Sequence, residues 1–430
     1  MAKQKFGIFS PILGEKKDFP IILLDKTIQT DNSNIEIKYG EVHRRKMREP
    51  DLLNTAVKVQ TPDGNPILHF HRFIKRSTSA EYLLAFTKAH IYHWNTSTSA
   101  WDIKFTCSAD CTEWDTVSYN NMIIATNNVD RVLKWDTSGY FLPLQNTTPT
   151  AITAVTKANP CHVTAAGHGL TTGGRVWITS VAGMTQINNL QFVVTVDSVD
   201  IFSLDDIDSS AYTTYTSGGT VTEFQGVEYT TGYFLTKAKY VTAFENYLIL
   251  GYVTEDAVLR PQRIRWSDIG DETKFKTGDA GSKETEGEDF ITGFKVYRGQ
   301  LCIFKEKSRS MQWLVATADV WNWVVLPGNI GCLSNHSIVE DPDGRVYYLA
   351  SDLTIREMEV GEISHDIDPI IKLIEPSSAH LTQGVYIEGT KEVWWAIPYA
   401  NTLNNKVITF NGTGWGELDL RIPAFGDYKA

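Results

Sequence analysis

Residues 263–304 read RIRWSDIGDETKFKTGDAGSKETEGEDFITGFKVYRGQLCIF. A short alternating run at 263–267 carries Trp266 and leads into Ser-Asp-Ile-Gly-Asp. A polar loop rich in Gly, Asp and Glu follows, and two apolar runs, 290–296 and 301–304, then meet across a tight Arg-Gly-Gln turn. Apolar residues recurring in short runs, with Gly, Asp and Asn at the joints, are the pattern of antiparallel strands linked by tight turns. The same unit recurs in looser form along most of the chain.

The length of 430 residues is too great for one ordinary core, unless that core is a barrel, a sandwich or a radial repeat. Twelve Trp, eighteen Tyr and nineteen Phe, with abundant Thr and Val, favour strands, and long helical periodicities are hard to find. The expected class is therefore all-β. Four strand-like runs at 67–74, 82–86, 90–94 and 101–105 make a first unit, and runs at 113–119, 122–126, 132–135 and 140–144 make a second. Further units begin near residues 240, 289, 336 and 383. Once an interruption is set aside, these starts recur about every 45–50 residues, the period of propeller blades. The expectation is a β-propeller of about six blades.

The interruption, residues 150–224, loses charge and gains Thr, Ser, Gly and Val, with its clearest strands at 176–181, 192–196 and 201–204. It reads as a small β-barrel or sandwich inserted at a loop, where added chain is tolerated. The organisation is then a leading arm at 1–60 whose strands could close the propeller, a first propeller part at 61–149, the insert at 150–224, and a second propeller part at 225–430. Within the arm, strands are expected at 21–24, around Ile35 and Ile37, and at 55–59.

The formal charge of −11 opposes tight nucleic-acid binding by the chain as a whole, because neutralising phosphates takes clustered Lys and Arg. The densest basic cluster is His43, Arg44, Arg45, Lys46 and Arg48. It reads either as a solvated strand end or as a patch facing phosphate or an acidic neighbour, and Arg44, Arg45 and Lys46 are the candidate contacts to DNA or to another subunit. No apolar run reaches the roughly 18 residues that span a bilayer, so membrane insertion is not expected. The opening MAKQKFGIFSPILGEKK breaks at Pro11 and Gly14 and does not read as a signal peptide. Five cysteines without a framework spacing favour a reduced compartment.

Candidate chemistry is sparse. His69 and His71 share one strand face, but His90 and His93 alternate in face, and a metal site needs a third ligand. Cys107 and Cys111 lack a second pair for zinc. Asp268, Asp271, Asp279, Glu284, Glu286, Glu288 and Asp289 could supply oxygen ligands, yet they show no calcium-loop spacing and read as a solvated acidic connection between blades. Trp321 and Trp323 share a face and Trp394 and Trp395 oppose each other; such aromatics pack between blades or form a stacking platform for a ligand. No nucleophile elbow, P-loop or His-Glu-x-x-His segment is present. The expectation is no enzyme activity, no cofactor and no metal.

Two resemblances follow from the motifs. The insert carries Asn-Pro, then Ala-x-His-Gly-Leu, then Gly-Met-x-x-Ile-Asn, then Tyr-x-x-Tyr-x-Ser-Gly-Gly-Thr-Val. In this it resembles a small β-module of tailed-phage tail proteins, related to the first catalytic-cysteine half-domain of ubiquitin-activating enzymes. In phage proteins that module looks like an architectural decoration, without ubiquitin chemistry. Outside the insert, Gly40-Glu41-Val42-x-Arg44-Arg45, Ala125-Thr126-Asn127, Val132-Leu133-Lys134-Trp135-Asp136, Arg265-Trp266-Ser267-Asp268, Gly287 to Gly293 and Gly331-Cys332 occur in order. That order resembles the tail hub or nozzle proteins of short-tailed bacteriophages, also called packaged-DNA stabilisation proteins. The early motif departs from that pattern, reading Lys46-Met47-Arg48-Glu49 where Arg-Pro-Gly-Tyr is usual.

The resemblance implies a structural virion protein, assembled in the host cytoplasm, whose six copies form a homo-oligomeric ring. Its partners would be portal and adaptor proteins above, tail fibres or spikes beside it, and viral double-stranded DNA passing through. The alternative is a propeller that binds or cleaves glycans as a receptor-binding tail component, which would need clustered aromatics and paired carboxylates in one depression.

Overall fold

The computed structural model describes residues 35–38, 41–44, 61–145, 147–315 and 320–426. The described residues of Asp289–Phe425 form one compact unit, and those of Gln60–Glu288 together with Gly426 form another. Strands β1 (Ile35–Lys38) and β2 (Glu41–Arg44) make a two-stranded antiparallel sheet of their own. The strands expected at 21–24 and 55–59 lie outside the described residues.

The unit of Gln60–Glu288 holds three blades. Blade 1 is β3 (His69–Lys75), β4 (Ala80–Phe86), β5 (His90–Asn95) and β6 (Ala100–Thr106), paired in chain order. Blade 2 is β7 (Asp115–Tyr119), β8 (Met122–Thr126), β9 (Leu133–Trp135) and β10 (Leu142–Pro143). After the insert, strands β11 to β17 described below, comes blade 3. It consists of β18 (Val227–Thr230), β19 (Tyr233–Phe244), β20 (Tyr247–Glu255), β21 (Val258–Trp266) and β22 (Gly281–Glu284).

The second unit holds the other three. Blade 4 is β23 (Ile291–Tyr297), β24 (Gln300–Lys305), β25 (Arg309–Leu314) and β26 (Trp321–Leu326). Blade 5 is β27 (Val339–Glu340), β28 (Val346–Leu349), β29 (Ile355–Glu357) and β30 (Gly361–Glu362). Blade 6 is β31 (Gln383–Ile387), β32 (Glu392–Ile397), β33 (Lys406–Phe410) and β34 (Trp415–Leu418). Six consecutive antiparallel meanders define a six-bladed β-propeller, as the repeat period predicts. The fourth strand of the last blade is Trp415–Leu418, so blade 6 is four-stranded without a contribution from β1 or β2.

Tight turns make the meanders local. Asn120–Asn121, Glu245–Asn246 and Arg298–Gly299 carry positive φ at both positions, the geometry that matches the twist of paired strands. Two details differ from the sequence expectation. The acidic connection after Trp266 contains β22, which pairs with 263–266 as the outermost strand of blade 3. A strand of Gly, Ser, Lys and Glu has little apolar signal, yet Gly281 is required there because a Cβ would lie 2.6 Å from the Trp266 ring. The second is in blade 5, the unit beginning near residue 336, where the fourth strand expected at residues 362–366 (EISHD) is reduced to Gly361–Glu362. The chain then winds through a 3-10 turn, His365–Ile367, into a short helix α1 (Asp368–Ile371).

The insert is a seven-stranded antiparallel sheet. Its strands are β11 (Thr150–Ala151), β12 (Ala154–Val155), β13 (Cys161–Thr164), β14 (Arg175–Ala182), β15 (Leu190–Val196), β16 (Ile201–Leu204) and β17 (Ser217–Glu223). The two edge strands, β11 and β12, are separated by only two residues, whose amides donate to Gly219 and Thr164. The sheet therefore curls onto itself as a small barrel. Its core is its own, built from residues such as Val163, Val176, Ile178, Val194, Phe202 and Leu204. It sits between the last strand of blade 2 and the first of blade 3, not inside a blade.

Cores form where neighbouring blades meet. Phe86, Trp114, Ile123, Trp135 and Phe141 fill the space between blades 1 and 2; Ile124, Val241, Leu248 and Leu250 fill that between blades 2 and 3. In the other unit, Cys302, Phe304, Met311, Val346 and Tyr348 join blades 4 and 5, and Tyr347, Ile355, Trp395, Ile408 and Trp415 join blades 5 and 6. Tightness has a price in glycine. A Cβ at Gly331 would collide with the Lys305 carbonyl and the Glu306 backbone, which no rotamer change relieves. Gly331→Ala is therefore expected to destabilise the fold by about 1–3 kcal/mol, read as a lowered urea midpoint at unchanged slope.

Candidate functional site

Of the basic candidates, Arg44 ends β2, opposite Ile35 in the hairpin. Arg45 and Lys46 lie outside the described residues.

The histidine pair is occupied by hydroxyls. His69 Nε2 and His71 Nδ1 lie 2.7 and 2.8 Å from Thr116 Oγ1, and His71 Nε2 lies 2.9 Å from Ser118 Oγ. These bonds tie β3 of blade 1 to β7 of blade 2. A neutral imidazole offers one donor and one acceptor, which two hydroxyls match. Burial pushes the His71 ring down from 6.5 to about 4, so it stays neutral near pH 7. His90 turns elsewhere, 3.3 Å from the Asp63 carboxylate, so the four histidines do not converge.

Cys107 and Cys111 are free thiols, as are the other three cysteines. Donation of the Cys107 S–H to Cys111, together with burial, raises the Cys107 thiol, the opposite of what a nucleophile or a zinc ligand needs. Trp321 and Trp395 are buried. Trp395 donates to the Ser337 carbonyl at 3.0 Å, and the half-buried Trp394 donates to Glu392 at 2.8 Å. Trp395 therefore serves packing between blades 5 and 6, and Trp394 packs against Ala396, Val407 and Leu418 of its own blade.

The acidic carboxylates disperse over separate tasks. Asp268 accepts the Ile269 and Asp279 amides, Asp271 accepts Thr273, and Asp279 accepts the Tyr247 hydroxyl. Asp289 pairs at 2.7 Å with Lys305, whose side chain is fully buried. Burial alone would raise the Asp289 carboxyl, but Lys305, Ser308 and the Lys307 amide hold it below its ordinary value. These groups do not form one calcium loop.

The most concentrated electrostatic site was not apparent in the sequence. Glu255, at the end of β20, is 2% exposed and accepts Arg265 Nε and Arg263 Nη1, each at 2.7 Å. Arg263 also reaches Glu284 of β22 at 2.7 Å, and the Arg265 guanidinium lies 3.7 Å from the centre of the Tyr229 ring. One buried carboxylate thus joins β20, β21 and, through Arg263, β22. The strand pattern hid it, because Arg263 and Arg265 look like solvent-facing positions until Glu255 is brought opposite them.

The barrel is fixed to the propeller by stacking. Trp177 is buried between Phe105 of blade 1 at 6.2 Å and Phe224 at 5.7 Å, with rings tilted by 9° and 11°. Gln191 of β15 donates to the Thr106 carbonyl at 2.9 Å, and Arg131 of blade 2 donates to the Phe224 carbonyl at 3.3 Å.

This geometry defines a class: a six-bladed β-propeller protein with a small barrel mounted between its second and third blades. Residues 159–225, most of that barrel, match the family described as Ubiquitin-activating enzyme E1 FCCH domain. No curated protein sequence matches the chain. Similar solved structures include Kluyveromyces lactis Hsv2, at 11% identity over 82% of this chain and 97% of that one, with a TM-score of 0.32. They also include the phage phi92 endosialidase, at 16% identity over 84% of this chain and 58% of that one, with a TM-score of 0.30. The Myceliophteria thermophila Cps50 (Swd1) β-propeller domain is similar at 9% identity over 69% and 85%, with a TM-score of 0.31. At these values the likenesses carry no functional weight. No helix among the described residues is long and apolar enough to cross a membrane.

Two outcomes test the site chemistry. Glu255→Ala leaves the buried Arg265 without its carboxylate and Arg263 with Glu284 alone, and a loss of about 3–5 kcal/mol is expected in urea unfolding. For His71, the unfolded chain takes up a proton below pH 6.5 while the folded ring resists until about pH 4. Stability is therefore expected to fall as pH falls through that window, by on the order of 1 kcal/mol at pH 5 after allowing for solvent screening. His71→Gln, compared with wild type at pH 7 and pH 5, should remove that part of the loss.

Proposed function

We propose that the chain is a structural component of a bacteriophage tail, forming a ring-shaped hub or nozzle that extends the DNA channel, helps retain packaged DNA and anchors fibres or spikes. The observation that carries this reading is the FCCH-like barrel, matched over residues 159–225 and clamped on blade 1 by the Trp177 stack. A mechanical scaffold needs its decorations held without a slack linker, and two near-parallel rings on either side of a buried Trp supply that. The motif order outside the barrel supports the same assignment, by its resemblance to the tail hub proteins of short-tailed phages.

The mechanism is mechanical, with no catalysis. A conduit for DNA must pass phosphates without holding them, and a net charge of −11 disfavours retention. Arg44, Arg45 and Lys46 are the proposed contacts to DNA or to a neighbouring copy, and the ring would comprise six subunits between the portal and adaptor and the fibres. The reading places the protein in the virion tail.

Labelling the protein in intact virions, followed by image reconstruction, tests the assignment. Density for this chain is expected as a ring on the tail axis, next to the portal and adaptor. Density at the distal fibre tips would overturn the hub reading and favour a receptor-binding role directed at glycans.

A further inference from the structure

Glu362, His365 and Asp368 bring one ligand atom each to within 4.8 Å of one another. Their spacing, Glu-x-x-His-x-x-Asp, runs from the end of β30 through the 3-10 turn into the first residue of α1. Side chains three apart eclipse in a 3-10 turn, so His365 and Asp368 face the same way. The backbone between them is held firmly: the Ile363 carbonyl accepts Trp415 Nε1 at 3.1 Å, and buried Ser364 accepts the Ile355 amide at 3.0 Å.

A second observation points to a cation. Asp368 Oδ1 is buried, and among the described residues no hydrogen-bond donor reaches it. A buried carboxylate oxygen without a donor is costly and calls for a counter-charge. Glu362 and His365 are exposed, so they can swing inward to the roughly 2.0–2.2 Å bonds of a small ion.

We propose that Glu362, His365 and Asp368 bind a divalent transition-metal ion of the zinc type. One imidazole and two carboxylates suit such an ion, and their partial exposure leaves a further position to water. The site has a structural role. It clamps the start of α1, whose Ile370 and Ile371 belong to the core between blades 5 and 6, to the last strand of blade 5. A bound ion would thus stabilise the connection between these two blades. The site is independent of the phage-tail reading.

The test is calorimetric titration of the metal-stripped full chain with Zn²⁺, with thermal unfolding measured in parallel. One saturable equivalent and a raised Tm are expected. His365→Gln, Glu362→Gln and Asp368→Asn are each expected to weaken Zn²⁺ binding at least about tenfold and to abolish the shift in Tm. The first two replace exposed side chains, so a native circular dichroism spectrum is expected for both. His71→Gln should leave the affinity unchanged. Absence of saturable binding, or an affinity that all three substitutions leave intact, would overturn the site.

Discussion

An antiparallel blade has two apolar faces, and each is exposed to water until another sheet lies against it. The rest of this structure depends on that constraint. Phe86, Trp114, Trp135 and Phe141 are nearly or fully buried because blades 1 and 2 face each other, and Tyr347, Trp395 and Trp415 are buried because blades 5 and 6 do. Burial of a large aromatic contributes roughly 2–3 kcal/mol, so a few such residues per seam outweigh any surface ion pair. Polar groups caught in the seams must then be matched. Tyr119 donates to the Asn246 carbonyl and Asp115 accepts the Val241 amide across blades 2 and 3, while His69 and His71 meet Thr116 across blades 1 and 2.

The same constraint explains the buried charges. Glu255 and Lys305 sit in strands whose neighbours would leave them stranded, and each has an opposite charge at 2.7 Å. Each is taken up by its partner charges, Glu255 by Arg263 and Arg265 and Lys305 by Asp289. The barrel obeys the constraint differently. It closes its own sheet and keeps its own core, and it offers one ring, Trp177, to the propeller. A self-sufficient module attached by stacked rings can be added to a blade connection without disturbing the seams, and this makes it suitable as a mounted decoration on a scaffold.

Most blade strands were legible because their signals are local. The alternation in 69–75, the apolar run at 393–397 and turns such as Arg298–Gly299 each lie within a few neighbouring residues. The strands that escaped notice lacked apolar content. Gly281–Glu284 became a strand only because Arg263–Trp266 offered an open edge, and the residues after Glu362 became helical because Ile367, Ile370 and Ile371 face a core supplied by blade 6. The stretch 263–304 accordingly spans two blades, the last strands of blade 3 and the first of blade 4. The Glu362, His365 and Asp368 grouping was not singled out in the sequence, because nothing local said that a 3-10 turn would align these residues.

The sequence alone determined the β class and the number of repeating units, because hairpin turns and period-two alternation are fixed by neighbouring residues. Only the tertiary structure decided which charged residues are buried, which carboxylates converge and which rings stack. Those outcomes depend on side chains that meet only once strands are paired and packed. Glu255 and Arg265 show the difference: ten residues apart on paired strands, they read as ordinary surface charges until the fold removes water from between them.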